Sequence, residues 1–321
     1  MSGVGAQLTQ PPVSLLNTMN AVSQKYFSPI LADSVFKPSP TYWRLTRMGK
    51  KFDGGAAIVW PVATTEETSG GAYYGTQVLD TTVQDSVQPA ELQWKYYYQT
   101  IAIPVTDLLM NAGRTQVISL LRTKQEMAMG SLLQKLSRAI YNVSPNNTSL
   151  DLDSLTSALS SSGTYAGITI ASPWESNGGA GPTAVGGVLS MTNLQTLYGT
   201  AVFGNEEPDT MTTTQAIWNE LWVLIQANQR FIHDEETTRA GFKNHLMFNN
   251  AVVLHDQFVP SQEAYLLTSK YASPVFMERD YFVVEPFVRP TNQRVIASQV
   301  FVALNIRLLT LRQHARGTGI T

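Results

Sequence analysis

The sequence predicts an α+β protein, and three observations carry that prediction. Residues 115–142 hold the longest helical periodicity in the chain. Residues 91–99 and 296–308 alternate apolar and polar positions as strands do. The stretch from 151 to 273 switches between short helices and short strands. Composition frames all three: 43% of residues are hydrophobic but only 14% are charged, where a typical globular chain is about 25% charged. Ser, Thr, Asn and Gln stand in for the missing charge. Burying a hydrogen-bonded amide costs far less than burying a charge, so such a surface is suited to being covered by neighbours.

Taken in order, residues 1–40 lack sustained periodicity and carry Pro11, Pro12, Pro29, Pro38 and Pro40. They read as an extended arm that needs a partner to become ordered. Asp53-Gly54-Gly55 marks a turn, Ala56–Val62 a short apolar strand, and the polar, glycine-rich run from Thr64 to Gly75 a mobile tip. From Glu91 to Gln99, Leu92, Trp94, Tyr96 and Tyr98 fall on one face of a strand. A long hairpin with an aromatic face has little core of its own, so that face is expected to bury against something else, such as a neighbouring subunit.

Thr106–Ala112 reads as one or two helical turns stopped by Gly113. Thr115–Asn142 follows as a long helix, with Ile118, Leu121, Ala128, Leu132, Leu136 and Ile140 near a 3.6-residue period. Its length of roughly 40 Å exceeds what a compact domain needs. In the middle, helices are expected at Asp151–Ser160, Met191–Tyr198 and after Thr214, and strands at Tyr165–Ile170, Ala251–Phe258 and Ala264–Leu267. A glycine-rich loop spans 177–187. At the C-terminus, Ile296, Val300, Val302, Leu304, Ile306 and Leu308 share one face of a strand. Phe282–Arg289 is its mate across a turn at Pro290–Gln293, and Pro286 suits an edge position.

Charge is unevenly placed around a net −2. Residues 1–50 hold five cations against Asp33, and residues 287–321 hold five arginines and no acid. Either the basic ends face something anionic, or these arginines pair with the acidic middle. Cysteine is absent, which removes disulfides and thiolate chemistry together. Met1–Gln24 has no charge and so lacks the basic start of a signal peptide. No apolar run approaches the roughly 18 residues of a membrane span, and the expected site of synthesis is the cytoplasm.

No catalytic constellation emerges, and neither a cofactor nor a metal is expected. The histidines at 233, 245, 255 and 314 lack the spacing of a zinc helix. His233-Asp234-Glu235-Glu236 reads as a solvated loop, and Asp151 with Asp153 lacks the glycine and closing glutamate of a calcium loop. The glycines at 178–187 have no Lys-Ser/Thr after them. Lys50-Lys51 reads as an ordinary solvated pair.

The order of elements resembles that of tailed-bacteriophage major capsid proteins of the Hong Kong 97 fold. Stretches similar to that family include Tyr42-Trp43-Arg44, Leu92-Gln93-Trp94-Lys95-Tyr96-Tyr97-Tyr98, Thr164-Tyr165-Ala166-Gly167-Ile168 and Tyr265 to Tyr271. The resemblance spans nearly the whole chain, through diffuse motifs. It implies an N-arm at 1–45, a long β-hairpin E-loop at 46–100, and a P-domain at 101–150 and 274–316 containing the spine helix. A mixed α/β A-domain would occupy 151–273, with Ser176–Gly187 and Phe203–Met211 as candidate hexamer-centre loops.

The function so implied is a structural subunit that builds hexamers and pentamers of an icosahedral head around double-stranded DNA. Contacts with other copies are expected through Trp60, Tyr73, Tyr74, Trp94, Tyr96 and Tyr98. Packaged DNA would be opposed without sequence readout by Lys25, Arg44, Arg47, Arg312 and Arg316. The resemblance implies a portal and leaves room for a decoration protein. Many relatives begin with a cleaved scaffold segment, so a separate scaffold or a mature N-terminus is expected here. Two rivals stand beside this reading. One is an encapsulin-like nanocompartment shell, against which the extended arm argues. The other is an α/β hydrolase, which would need a carboxylate pair in a cleft.

Overall fold

The structure is a computed structural model, and it describes residues 39–110, 114–141, 150–225 and 246–321. Two compact units are present. The larger takes residues 38–97, 134–281 and 302–321, and the smaller takes 98–133 and 282–301 together with residues 1–37, which lie outside the described residues.

The larger unit begins with helix α1 (Pro40–Arg47), which starts at the last residue of the stretch read as an extended arm, and no helix was expected there. The reason is local. Ser39 caps the helix by accepting from the Tyr42 amide at 3.1 Å, and Pro40 sits at the first helical position, where its missing N–H costs nothing. Ser39 Oγ also donates to the buried carboxylate of Asp256. Strand β1 (Lys50–Phe52) then lies parallel to β12 (Ala272–Met277), which runs antiparallel to Leu304–Leu308 of β14 (Val295–Leu308).

The expected hairpin forms from β2 (Ala57–Ala63) and β3 (Val87–Gln93), paired from Ala57–Gln93 to Ala63–Val87. Its inner face is buried through Ile58, Trp60, Val62, Ala90 and Leu92. Pro61 faces Pro89 across this two-stranded ribbon. Prolines are tolerated there because the strands are edges, and they discourage further strand addition. Strand β4 (Lys95–Pro104) leads on into the smaller unit.

Helix α2 (Val105–Met110) and helix α3 (Arg114–Ile140) match the expected short and long helices. Ala128, Leu132, Leu136 and Ile140 are all buried, as the periodicity required. At the end of α3, Tyr141 is buried, and its hydroxyl hydrogen-bonds with the hydroxyls of Thr41 at 2.8 Å and Thr212 at 3.1 Å, donating to one and accepting from the other. One side chain thereby joins three segments. In the smaller unit, β13 (Val283–Val284) pairs with Val300 and Phe301 of β14, and Val288 bridges Ala297. The expected C-terminal hairpin is therefore present, with a shorter mate strand than the apolar run 282–289 suggested.

The middle of the chain is short α4 (Leu155–Ala158), a two-stranded hairpin and a six-stranded sheet. That hairpin, β5 (Thr164–Tyr165) with β6 (Ile168–Thr169), turns at Ala166 and Gly167, both at positive φ. The sheet has the order β7-β15-β11-β8-β10-β9. Its strands are β7 (Thr183–Gly187), β8 (Thr210–Thr213), β9 (Leu246–Phe248), β10 (Ala251–His255), β11 (Ala264–Leu267) and β15 (Ala315–Ile320). Helix α5 (Met191–Ala201) and helix α6 (Gln215–Ile225) bury Leu194, Leu197, Ile217 and Leu221 with Met211, Val253 and Leu266 of this sheet.

One expectation changes here. Residues 183–187 of the glycine-rich loop form edge strand β7, parallel to β15. Strand β15, which the sequence reading did not anticipate, pairs with β11 in this sheet, and Ala315 and Ile320 belong to its apolar core. At Gly317 an added Cβ would lie 2.7 Å from Leu197 Cδ2, so that close approach of strand and helix requires glycine.

Candidate functional site

Above the hairpin, the chain from 64 to 86 closes on itself through polar contacts at its base. The Thr64 amide donates to Ser86 O at 3.0 Å, the Thr68 amide to Gln84 Oε1 at 2.9 Å, and Ser86 Oγ to Glu67 Oε1 at 2.8 Å. Beyond this base the apolar side chains face outward. Tyr74 is 91% exposed, Val78 92% and Val83 95%, with Tyr73 and Leu79 exposed beside them. So much apolar surface is left facing solvent in this arm. Tyr73 and Tyr74, named in the sequence as candidate contacts, are among these exposed side chains. Val78 and Val83 were missed because no periodicity sets them apart in a polar loop.

Trp60 and Trp94 depart from expectation. They are only 5% and 7% exposed, and both turn into their own chain. The Trp60 indole donates to Leu309 O at 3.3 Å and that of Trp94 to Gly55 O at 3.0 Å. Tyr96 and Tyr98 are exposed, so Leu92, Trp94, Tyr96 and Tyr98 do not share one buried face. The ribbon ends at Gln93 and a new strand begins at Lys95. Across that break the buried parity changes from 90, 92 and 94 to 101 and 103. Tyr97, on the other parity, donates to Asp151 Oδ1 at 3.2 Å and accepts from the Leu152 amide at 2.9 Å. Burial pushes its phenol up.

The basic residues divide sharply. Lys25 lies outside the described residues. Arg316 does not face outward: its guanidinium donates to Glu263 Oε1 at 2.6 Å and Oε2 at 3.1 Å, and to the carbonyl of Thr156 at 3.0 Å. Both members of this pair are only 14% exposed. Arg44 is also held internally, donating to Thr210 Oγ1 at 2.6 Å and lying 4.0 Å from Asp209. Arg312 lies 4.1 Å over the Phe203 ring, a cation–π contact. Arg47 is exposed and stacks on Trp43 at 5.5 Å. For Arg44 and Arg316, pairing with central acids is therefore the correct alternative, and non-local partners are what the sequence could not supply.

Of the two candidate central loops, Thr210 and Met211 are buried in β8, and Ser176 and Asn177 are buried as well. Exposed positions remain in both: Gly178, Ala180, Ala184 and Gly186 in the first, and in the second the turn at Phe203, closed by its bridge to Glu206. Among the described residues no group of three or more His, Asp or Glu is placed to hold a metal ion, and no helix is long and apolar enough to cross a membrane.

Sequence comparison finds no matching family model and no matching curated protein. Comparison with solved structures is different. The chain superposes on the cyanophage A-1(L) capsid asymmetric unit with TM-score 0.68 at 16% identity, covering 92% of this chain and 96% of that one. The chain has the Hong Kong 97-type capsid fold. A Gordonia phage Cozz chain matches with TM-score 0.58 at 12% identity, over 99% of this chain and 98% of its own. The SrpI encapsulin of Synechococcus elongatus matches with TM-score 0.60 at 10% identity, over 98% and 96%.

Proposed function

We propose that this chain is the major shell subunit of a tailed-phage head, assembling as hexamers and pentamers into an icosahedral shell around double-stranded DNA. Its role is structural and not catalytic. The observation that carries this reading is end-to-end similarity to a phage capsid subunit, with over nine-tenths of each chain covered. The exposed apolar arm supports it, since an isolated soluble subunit gains nothing from such a surface. Assembly takes place in the host cytoplasm, with a separate scaffold and a portal, and the mature location is the virion. A decoration protein is a natural further partner; one neighbour of this fold is described with decoration proteins. DNA is contacted through phosphates alone, with Arg47 the candidate among the described basic residues.

The nanocompartment reading rests on the equally complete match to an encapsulin. Sedimentation and electron microscopy of the purified recombinant protein test the shell, and nuclease-protected nucleic acid in the particles separates the two readings. Closed shells or rings of five and six are expected. A globular monomer at every concentration, with or without lysate from phage-infected cells, would sink the shell proposal.

A further inference from the structure

We infer that one face of the sheet formed by β1, β12 and β14 holds a site for a small phosphate-class oxyanion, built from Arg307, Lys50 and the Ser273 hydroxyl. Arg307 is a buried charge without a counter-charge. It is only 6% exposed, yet it forms no salt bridge with any described residue. Its Nε is buried and has no hydrogen-bond partner, and its Nη2 reaches only Ser273 Oγ, at 3.5 Å. The guanidinium carbon lies 5.8 Å from the Phe52 ring, a cation–π contact that offsets a small part of the cost. A charge taken out of water is expensive unless it is paired and hydrogen-bonded. The planar fork of an arginine is the side chain best matched to an oxyanion, which would supply both.

Strand register supplies the second cation. Arg307 lies opposite Ser273, and Asn305 opposite Val275, across β14 and β12. Lys50 lies opposite Val275, and Phe52 opposite Met277, across β1 and β12. Opposite residues, and alternate residues along a strand, share a face. Lys50, Phe52, Ser273, Asn305 and Arg307 are therefore on one face, and Lys51 is on the other. The contacts agree: Lys51 sits 4.0 Å over Tyr281, whose ring packs on Phe276 of that other face. Lys50 is exposed on the edge strand of this sheet and forms no salt bridge among the described residues. Two strands and two residues separate it from Arg307, roughly 12 Å between Cα atoms, a gap that two long side chains can close around one ion. The acid on this face is already engaged, since Asp153 Oδ2 accepts from Asn305 Nδ2 at 2.7 Å. A guanidinium, an ammonium and a hydroxyl offer more donors than one carboxylate uses, and a multiply charged ion with several oxygens matches them.

The test titrates the full-length chain with inorganic phosphate and reads its melting temperature, with chloride holding ionic strength constant so that screening does not change. The wild type is expected to show a saturating rise. Lys50→Gln, at an exposed position, should keep the fold and weaken the apparent affinity about tenfold, by removing one charged donor. Arg307→Met should lose the saturable response. Without phosphate it should melt no lower than the wild type, because the charge it removes has no counter-charge to leave behind. An arginine with a purely structural role would give the reverse, early melting with an unchanged phosphate response. A wild type without a saturable response, or one that Lys50→Gln and Arg307→Met both retain in full, would overturn the site. A short DNA duplex in place of phosphate separates the sources. A shift in the wild type that Arg307→Met lacks would assign the phosphate to a nucleic-acid backbone, and no shift would assign it to the free ion.

Discussion

Glu263 and Arg316 form the most consequential charged contact in the larger unit, with a two-point hydrogen bond and little exposure. Removing one partner from such a pair leaves a buried charge unmatched, which costs far more than the intact pair contributes. Glu263→Ala is therefore expected to lower unfolding free energy by about 3 kcal/mol, read from urea denaturation. Arg316→Leu added to it should cost less than the two changes separately. His314 gives a second test. It is fully buried, and its Nδ1 accepts from the Thr268 amide at 3.2 Å. Burial holds the ring neutral and brings its pKa down to about 3 from 6.5. The unfolded chain binds a proton here below about pH 6.5, and the folded chain does not until about pH 3, so stability is lost progressively as pH falls through that window. Urea midpoints should decline from pH 7 to pH 4.5. The decline should be shallower in His314→Asn, whose amide oxygen keeps the acceptor.

Helix α1 shows what an element needs beyond propensity. Ser39 both caps it and donates to Asp256, a carboxylate 1% exposed. Ser39→Ala is expected to cost about 1–2 kcal/mol, at the upper end for a cap, because a buried acceptor loses its donor as well. Thermal denaturation measures this, and a loss near zero would mean that water serves Asp256 equally well. The helix was illegible in the sequence because Pro38 and Pro40 read as arm, although Ser39-Pro40 is also a start signal. Long elements were legible: α3 and β14 each repeat one apolar period often enough to fix their ends to within two residues. The break at Trp94 was not, since an alternating pattern continues through it and only the partner strands reveal the change of face. For the same reason the arm was legible as an exposed feature while its two tryptophans were misplaced. Which aromatic side chains point inward depends on Leu309 O and Gly55 O, positions that no local pattern encodes.

At the scale of the whole molecule, the low charged fraction and the outward apolar arm describe one property, a chain whose monomer is an incomplete solution of its own surface. Two consequences can be separated. The arm beyond its polar base contributes almost nothing to the fold, since Tyr73, Tyr74, Val78, Leu79 and Val83 face solvent. It should contribute much to association, where the same side chains leave water at about 25 cal/mol for each Å² buried. Replacing residues 69–83 with a short Gly-Ser turn, which leaves the Thr64–Ser86 closure in place, is therefore expected to leave the monomer's melting temperature unchanged within error. The same replacement should abolish particles in sedimentation and electron microscopy. A variant that melts early would show that the arm packs on its own subunit. A variant that still closes shells would move the binding surface elsewhere, and the apolar face of α6 at Val223 and Leu224, beside Val188, is the next exposed candidate. Stability and assembly respond to different parts of this chain, and this one variant measures both.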